Sequence, residues 1–133
     1  ELAEGQIWEA TMFAAHYKLD NLCIIVDING LQIDGRTCDV MNTEPVDAKF
    51  AAFGCDVVKV NGHDFQELED AFAKFHANHG TGKPTAILMK TTKGKGVSYM
   101  ENQAGWHGKA PNDQEYEQAM GELKAQLAEV EGM

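Results

Sequence analysis

Near the start of this chain an apolar run breaks off into a polar, glycine-punctuated elbow, and few architectures accommodate that junction. The run is Leu22-Cys23-Ile24-Ile25-Val26, and the elbow is Asp27-Ile28-Asn29-Gly30-Leu31-Gln32-Ile33-Asp34-Gly35. A short, β-branched apolar run between polar flanks reads as a strand buried on both faces of a parallel sheet. Such strands deliver ligand-binding residues at their carboxyl ends. Asp27, Asn29 and Asp34 stand there, with Gly30 and Gly35 supplying tight backbone. Oxygen-bearing side chains on such a turn suit a hard cation carrying a phosphate, such as magnesium. The same pattern also fits a polar turn in which Asn and Asp simply satisfy local backbone groups.

The remaining segments alternate strand with helix. Ala3 to Leu19 reads as a helix that Ile7, Trp8, Met12, Phe13, Ala14 and Ala15 make apolar around most of its circumference, with Glu4 in its first turn. Pro45 to Phe53 reads as a short helix closed by Gly54, and Cys55 to Val60 as a second strand. Asp64 is an N-cap with Glu67 at the capping-box position, ahead of an amphipathic helix bearing Phe65, Leu68, Phe72 and Phe75. Thr85 to Lys90 is a third strand. The last helix follows Asn112 or Asp113 and carries a stripe of Tyr116, Met120, Leu123, Leu127 and Val130, expected to pack against the domain. This order predicts an α/β fold with a doubly wound parallel sheet, in one domain over residues 1–133.

The net charge of −10 argues against nucleic acid or an anionic membrane surface as partner. The longest apolar run is too short to span a bilayer. Three cysteines without CxxC spacing (Cys23, Cys38, Cys55) point to a reducing cytoplasm and away from a disulfide framework or zinc site. Glu1 reads as the approach to a helix, so the chain is expected to be cut from something longer.

Thr91 to Asn112 has little periodicity; a loop of that length is functional or disordered, and its place after the carboxyl end of a strand is compatible with function. Thr92-Lys93-Gly94-Lys95-Gly96 offers backbone N–H groups and two ammonium groups to a phosphate, or is a solvated basic turn. His107, flanked by Trp106 and Gly108, can approach a ligand closely and exchange protons near neutral pH. His16, His63, His76 and His79 read as surface or capping residues.

Taken together, Glu4-Gly5-Gln6-Ile7-Trp8-Glu9-Ala10, the DxNxLQIDG string at 27–35, Lys90-Thr91-Thr92-Lys93-Gly94-Lys95-Gly96 and Gly105-Trp106-His107-Gly108-Lys109-Ala110-Pro111 resemble the thiamine diphosphate-binding, amino-terminal half of transketolases. The resemblance runs from Glu1 to about the last helix. It implies a thiamine diphosphate-binding fold that is incomplete at the N-terminus. It implies Asn29 as a ligand to Mg2+ (or Ca2+) through its side-chain oxygen, Leu31 as a ligand through its carbonyl, and Ile33 packed on the thiazolium ring. His107 would touch the cofactor diphosphate and the reacting sugar, and Glu4 would lie near a subunit interface. The family's Gly-Asp-Gly triplet, which holds a further metal ligand, does not occur in this sequence and would fall upstream of Glu1.

The activity so implied is two-carbon ketol transfer between sugar phosphates. It requires the remainder of the enzyme, a pyrimidine-binding domain or subunit, in an oligomer, so the isolated chain is expected to be inactive. Deoxyxylulose-phosphate synthase shares the metal motif and is the nearest alternative enzyme. A non-catalytic α/β assembly domain is the alternative from another class. The LQIDG and GWHGKAP strings favour transketolase.

Overall fold

The structure is a computed structural model and describes residues 1–132. The order of elements is α1 (Gly5–His16), β1 (Cys23–Ile28), β2 (Leu31–Gln32), β3 (Gly35–Arg36), α2 (Thr37–Val40), α3 (Val46–Ala52), β4 (Asp56–Asn61), α4 (Phe65–Ala77), β5 (Thr85–Lys90), a 3₁₀ turn (Ala104–His107) and α5 (Asp113–Glu131). Three strands form a parallel sheet in the order β1-β5-β4, and β2 and β3 form a small antiparallel hairpin. Cys23 to Ile28 runs in register with Thr85 to Lys90, and Asp56 to Asn61 with the same residues from the other side. The carboxyl ends of all three strands therefore lie abreast, and the segments that follow them share one rim.

Side chains alternate across the sheet, as the pleat requires. On one face Val26, Ala86 and Leu88 pack with Val46, Phe50 and Cys55, joined by Leu2, Trp8, Ile24, Ile28 and Val57. On the other, Val58 and Ile87 pack on Ala71 of α4, with Cys23, Val60 and Met89 at the margin. Helices cover both faces, which is the doubly wound arrangement expected from the alternation of elements.

Three expectations about burial are corrected. β1 is not buried on both faces: it is one edge of the described sheet, and Ile25 is 49% exposed, while the most buried strand is the central β5, with Thr85 to Leu88 buried. α1 buries only Thr11 and Ala14, leaving Met12, Phe13 and Tyr17 exposed, and it is shorter than expected, with Glu4 at its N-cap ahead of the first turn. The stripe on α5 packs little, since Tyr116, Leu123, Leu127 and Val130 are exposed and only Ala119 is buried.

Polar contacts hold α5 instead. Glu122 accepts from the Ser98 backbone N–H at 2.7 Å and from its hydroxyl at 2.6 Å, Gln126 donates to the Gly96 carbonyl, and the Tyr99 hydroxyl donates to the Glu115 carbonyl. A capping box between Asn112 and Glu115 starts the helix. The Ser98 hydroxyl above all holds the Glu122 carboxyl below the ordinary glutamate value of 4.5, Lys109 does the same for Glu115, and the Gly96 N–H for Glu101. With native pKa values lowered, the stability these groups contribute is complete above that ordinary value. It is lost as pH falls through the lower native values. Thermal unfolding followed from about pH 6 to about pH 3 should show a falling Tm, with a shallower fall in Glu122→Gln.

The turn after β4 comes very close to the end of β5. A Cβ on Gly62 would sit 2.5 Å from Thr91 Cγ2 and 2.9 Å from Met89 Cβ. Gly62→Ala should therefore cost about 1–3 kcal/mol through overpacking, read as a lowered midpoint in urea.

Candidate functional site

The site is built where β1 gives way to the elbow. Gly30 adopts φ +76°, which lets the chain reverse into the β2–β3 hairpin, and its carbonyl accepts from the Thr37 N–H at 3.0 Å to fold the hairpin back. Asn29 caps this turn from within. Its Oδ1 accepts from the Leu31 N–H at 2.8 Å, and its Nδ2 donates to Asp27 Oδ2 at 3.1 Å. The other Asp27 oxygen accepts from the Thr91 hydroxyl, which joins the rim of β1 to that of β5.

Above this elbow opens a cavity of about 520 Å³. Asn29, Leu31, Ile33 and His107, the residues singled out from sequence, all line it. Ile33 is 64% exposed at the hairpin tip and lines the cavity, so its apolar surface is open to whatever enters it. Asp34, at the same tip, is exposed and does not line the cavity.

His107 ends the 3₁₀ turn, and its neighbours brace it. Trp106 Nε1 donates to the Tyr99 carbonyl at 3.1 Å, and the two rings lie 5.2 Å apart. The Lys109 ammonium lies 4.1 Å from the centre of the Trp106 ring and 2.8 Å from Glu115. That combination of cation–π contact and ion pair ties the loop to the start of α5.

In the glycine-rich string, read as a phosphate cradle or a solvated basic turn, several backbone donors are engaged within the protein. The N–H of Thr92 donates to His63 Nε2, that of Lys95 to the Thr92 carbonyl, that of Gly96 to Glu101 and that of Val97 to the Gly94 carbonyl. Backbone donors already engaged within the protein are not available to an anion. Lys95 lies 3.5 Å from Glu101, and only Lys93 of the two lysines lines the cavity. His63 is exposed, as expected, and its ring also fastens this loop to the turn after β4.

Sequence reasoning missed further parts of the site. Gln32 lines the cavity, and its Oε1 is the one side-chain oxygen among the described residues that is buried without a hydrogen-bond partner. Glu4, Thr37 and Met41 also line it. Glu4 and Gln32 belong to the motifs read from the sequence, but spacing gives neither a place in the cavity, because the hairpin and α1 bring these residues together only in three dimensions.

The three cysteines are free thiols, and burial pushes Cys55 up to about 11 and Cys23 upward, so both are poor nucleophiles. Among the described residues no cluster of three His, Cys, Asp or Glu side chains could hold a metal by itself. No described helix is long and apolar enough to cross a membrane.

Comparison with known proteins agrees with this geometry. Residues 1–128 match the family model described as transketolase, thiamine diphosphate binding domain. The chain is 45% identical over 124 residues to an apulose-4-phosphate transketolase subunit of Actinobacillus succinogenes, covering 93% of this chain and 44% of that one. It is 39% identical over 127 residues to the transketolase of Homo sapiens, covering 96% of this chain and 20% of that one. The fold matches the crystal structure of transketolase from Campylobacter jejuni with a TM-score of 0.80 at 34% identity, over 89% of this chain and 18% of that one. The chain thus spans less than half the length of these relatives. The chain therefore belongs to the transketolase family, by the match of residues 1–128 to its thiamine diphosphate binding domain.

Proposed function

We propose that this chain holds the diphosphate and metal end of thiamine diphosphate and, within the complete enzyme, serves two-carbon ketol transfer between sugar phosphates. The observation that carries the reading is the convergence of Asn29, Leu31, Ile33 and His107 on one cavity at the carboxyl rim of the sheet. The donors fit the group. Asn29 Oδ1 has a second lone pair beyond the one given to Leu31, and the Leu31 carbonyl supplies another neutral oxygen. Two neutral oxygens suit a magnesium ion whose remaining ligands come from phosphate and water. The orphaned Gln32 Oε1 marks a place where an entering donor gains a hydrogen bond.

Thiamine diphosphate, when bound, supplies the stabilised carbanion that ketol transfer needs. The chain's own residues bind and orient. Lys93 places an ammonium group at the cavity, where it favours a diphosphate. Ile33 covers an apolar ring and keeps water from it. His107 presents a ring nitrogen that can donate to a phosphate oxygen, or take and return the proton of a sugar hydroxyl.

The remainder of the enzyme, as a further domain or a separate subunit, supplies the pyrimidine-binding side. Relatives described as single subunits of transketolases support this reading, as do the exposed apolar residues of α1 and β1. The isolated chain is accordingly inactive.

Ketol transfer by the full-length protein with its complementary subunit or domain tests the proposal. His107→Ala should lower kcat/KM by roughly 100-fold or more, the scale of a lost acid–base group. An unchanged value removes His107 from the reaction, and the absence of any transfer from ketose phosphates overturns the activity.

A further inference from the structure

At the rim of the cavity, Asp27 makes two hydrogen bonds that ligand binding itself does not use. One oxygen accepts from Asn29 Nδ2 at 3.1 Å, and the other accepts from the Thr91 hydroxyl. A side-chain amide has nearly the same shape in its two flipped orientations but opposite chemistry at its two ends. A carboxylate only accepts, so Asp27 is satisfied by the amino end of Asn29 and not by its oxygen. The Leu31 N–H, 2.8 Å from Oδ1, selects the same orientation from the other side.

Thr91 is itself fixed from below. The Gly62 N–H donates to the Lys90 carbonyl at 2.8 Å, and the Thr92 N–H donates to His63 Nε2 at 2.7 Å. The ends of β4, β5 and β1 are thus linked in sequence to one amide.

We propose that Asp27 and Thr91 are positioning residues, a pair that locks the Asn29 amide with the second lone pair of its oxygen turned to a divalent cation and its amino end turned away. This rests on the reading of Asn29 as a metal ligand. Without Asp27 the amide can present its amino end, which cannot bind a cation, for part of the time. Partners of this kind, one bond removed from the metal, typically govern 10- to 100-fold of its affinity, about the loss expected for Asp27→Ala.

The test is calorimetric titration of Mg2+ into the full-length protein at saturating thiamine diphosphate, with far-UV circular dichroism to verify the fold of each variant. Asp27→Ala should weaken Mg2+ binding about 10- to 100-fold, and Thr91→Val by a smaller factor. Asp27→Asn should recover part of the loss, because its oxygen still accepts from Asn29 while its amino group can donate to the Thr91 hydroxyl. The double variant Asp27→Ala/Asn29→Ala should bind no more weakly than Asn29→Ala alone, since there is then no amide to orient. A general loss of stability would give neither the recovery nor this non-additivity. If Asn29→Ala loses binding and Asp27→Ala does not, the positioning role is overturned while Asn29 stands as a ligand. If Asn29→Ala binds as the unaltered protein does, both are overturned. Should Asp27→Ala fail to fold, Thr91→Val probes the same lock from its other end, and unaltered Mg2+ affinity there overturns the proposal.

Discussion

Replacing Asn29 by alanine should reduce magnesium-dependent binding of thiamine diphosphate roughly 100-fold or more, beyond the 10- to 100-fold typical of partners one bond removed from a metal. The substitution removes the elbow's one side-chain oxygen offered to the ion and, in the same step, the acceptor of the Leu31 N–H. The Leu31 carbonyl belongs to that turn, so both proposed ligands of this chain are affected together. Asn29→Asp keeps an oxygen but sets a second carboxylate against Asp27, at a contact that is now a 3.1 Å hydrogen bond. Like charges at that separation repel, one of the two must take a proton or move, and binding should fall here as well. Calorimetric titration of the cofactor with and without Mg2+ measures both variants. Affinity within a few-fold of the unaltered protein in Asn29→Ala would remove the elbow from the cofactor site.

The largest effect on stability is expected at Gly94. Its φ of +72° lies in the left-handed region, and an added Cβ would sit 2.5 Å from the Met100 carbonyl oxygen and 2.6 Å from its carbon. Backbone atoms cannot swing aside as the end of a side chain can. Conformational strain of about 1–2 kcal/mol adds to an overpacking cost of about 1–3 kcal/mol, so Gly94→Ala should destabilise by roughly 2–5 kcal/mol. Urea unfolding monitored by tryptophan fluorescence measures it, because Trp106 rests on Tyr99 in the same loop. A midpoint equal to that of the unaltered protein would show that the loop can be rebuilt freely.

The sheet was legible because its strands are short apolar runs set between helical periods. Cys55 to Val60 and Thr85 to Lys90 were expected as strands and fall within a residue of β4 and β5. Which strand lies at the centre was not legible. Leu22 to Val26 is as apolar as a central strand, yet β1 has one neighbour and leaves Ile25 half in solvent. Side-chain type reports what a position tolerates, and the neighbours that bury it are set by the arrangement of the whole sheet.

The loop after β5 teaches the same lesson about polar groups. Glycines and lysines suggested open N–H donors, but whether a donor is open depends on His63 and Glu101, which no local spacing connects to it. The apolar stripe of α5 promised packing, and the helix is held instead by Glu122 and Gln126 on the loop. The cavity residues Asn29, Leu31, Ile33 and His107 are legible by motif, whereas Gln32 and Glu4 reach the same space only through the hairpin and the start of α1.

The order of strands in the sheet also bears on how the chain can be made. Among the described residues β1 and β4 each pair with β5 alone, and β5 is the last of the three to leave a ribosome. Until Lys90 has emerged, β1 and β4 lack the strand that joins them in this sheet. Distant pairing of this sort slows folding and leaves strand edges open to the wrong neighbour. A nascent chain stalled before Thr85 should therefore be a strong client for chaperones, and one released after Lys90 a weak one.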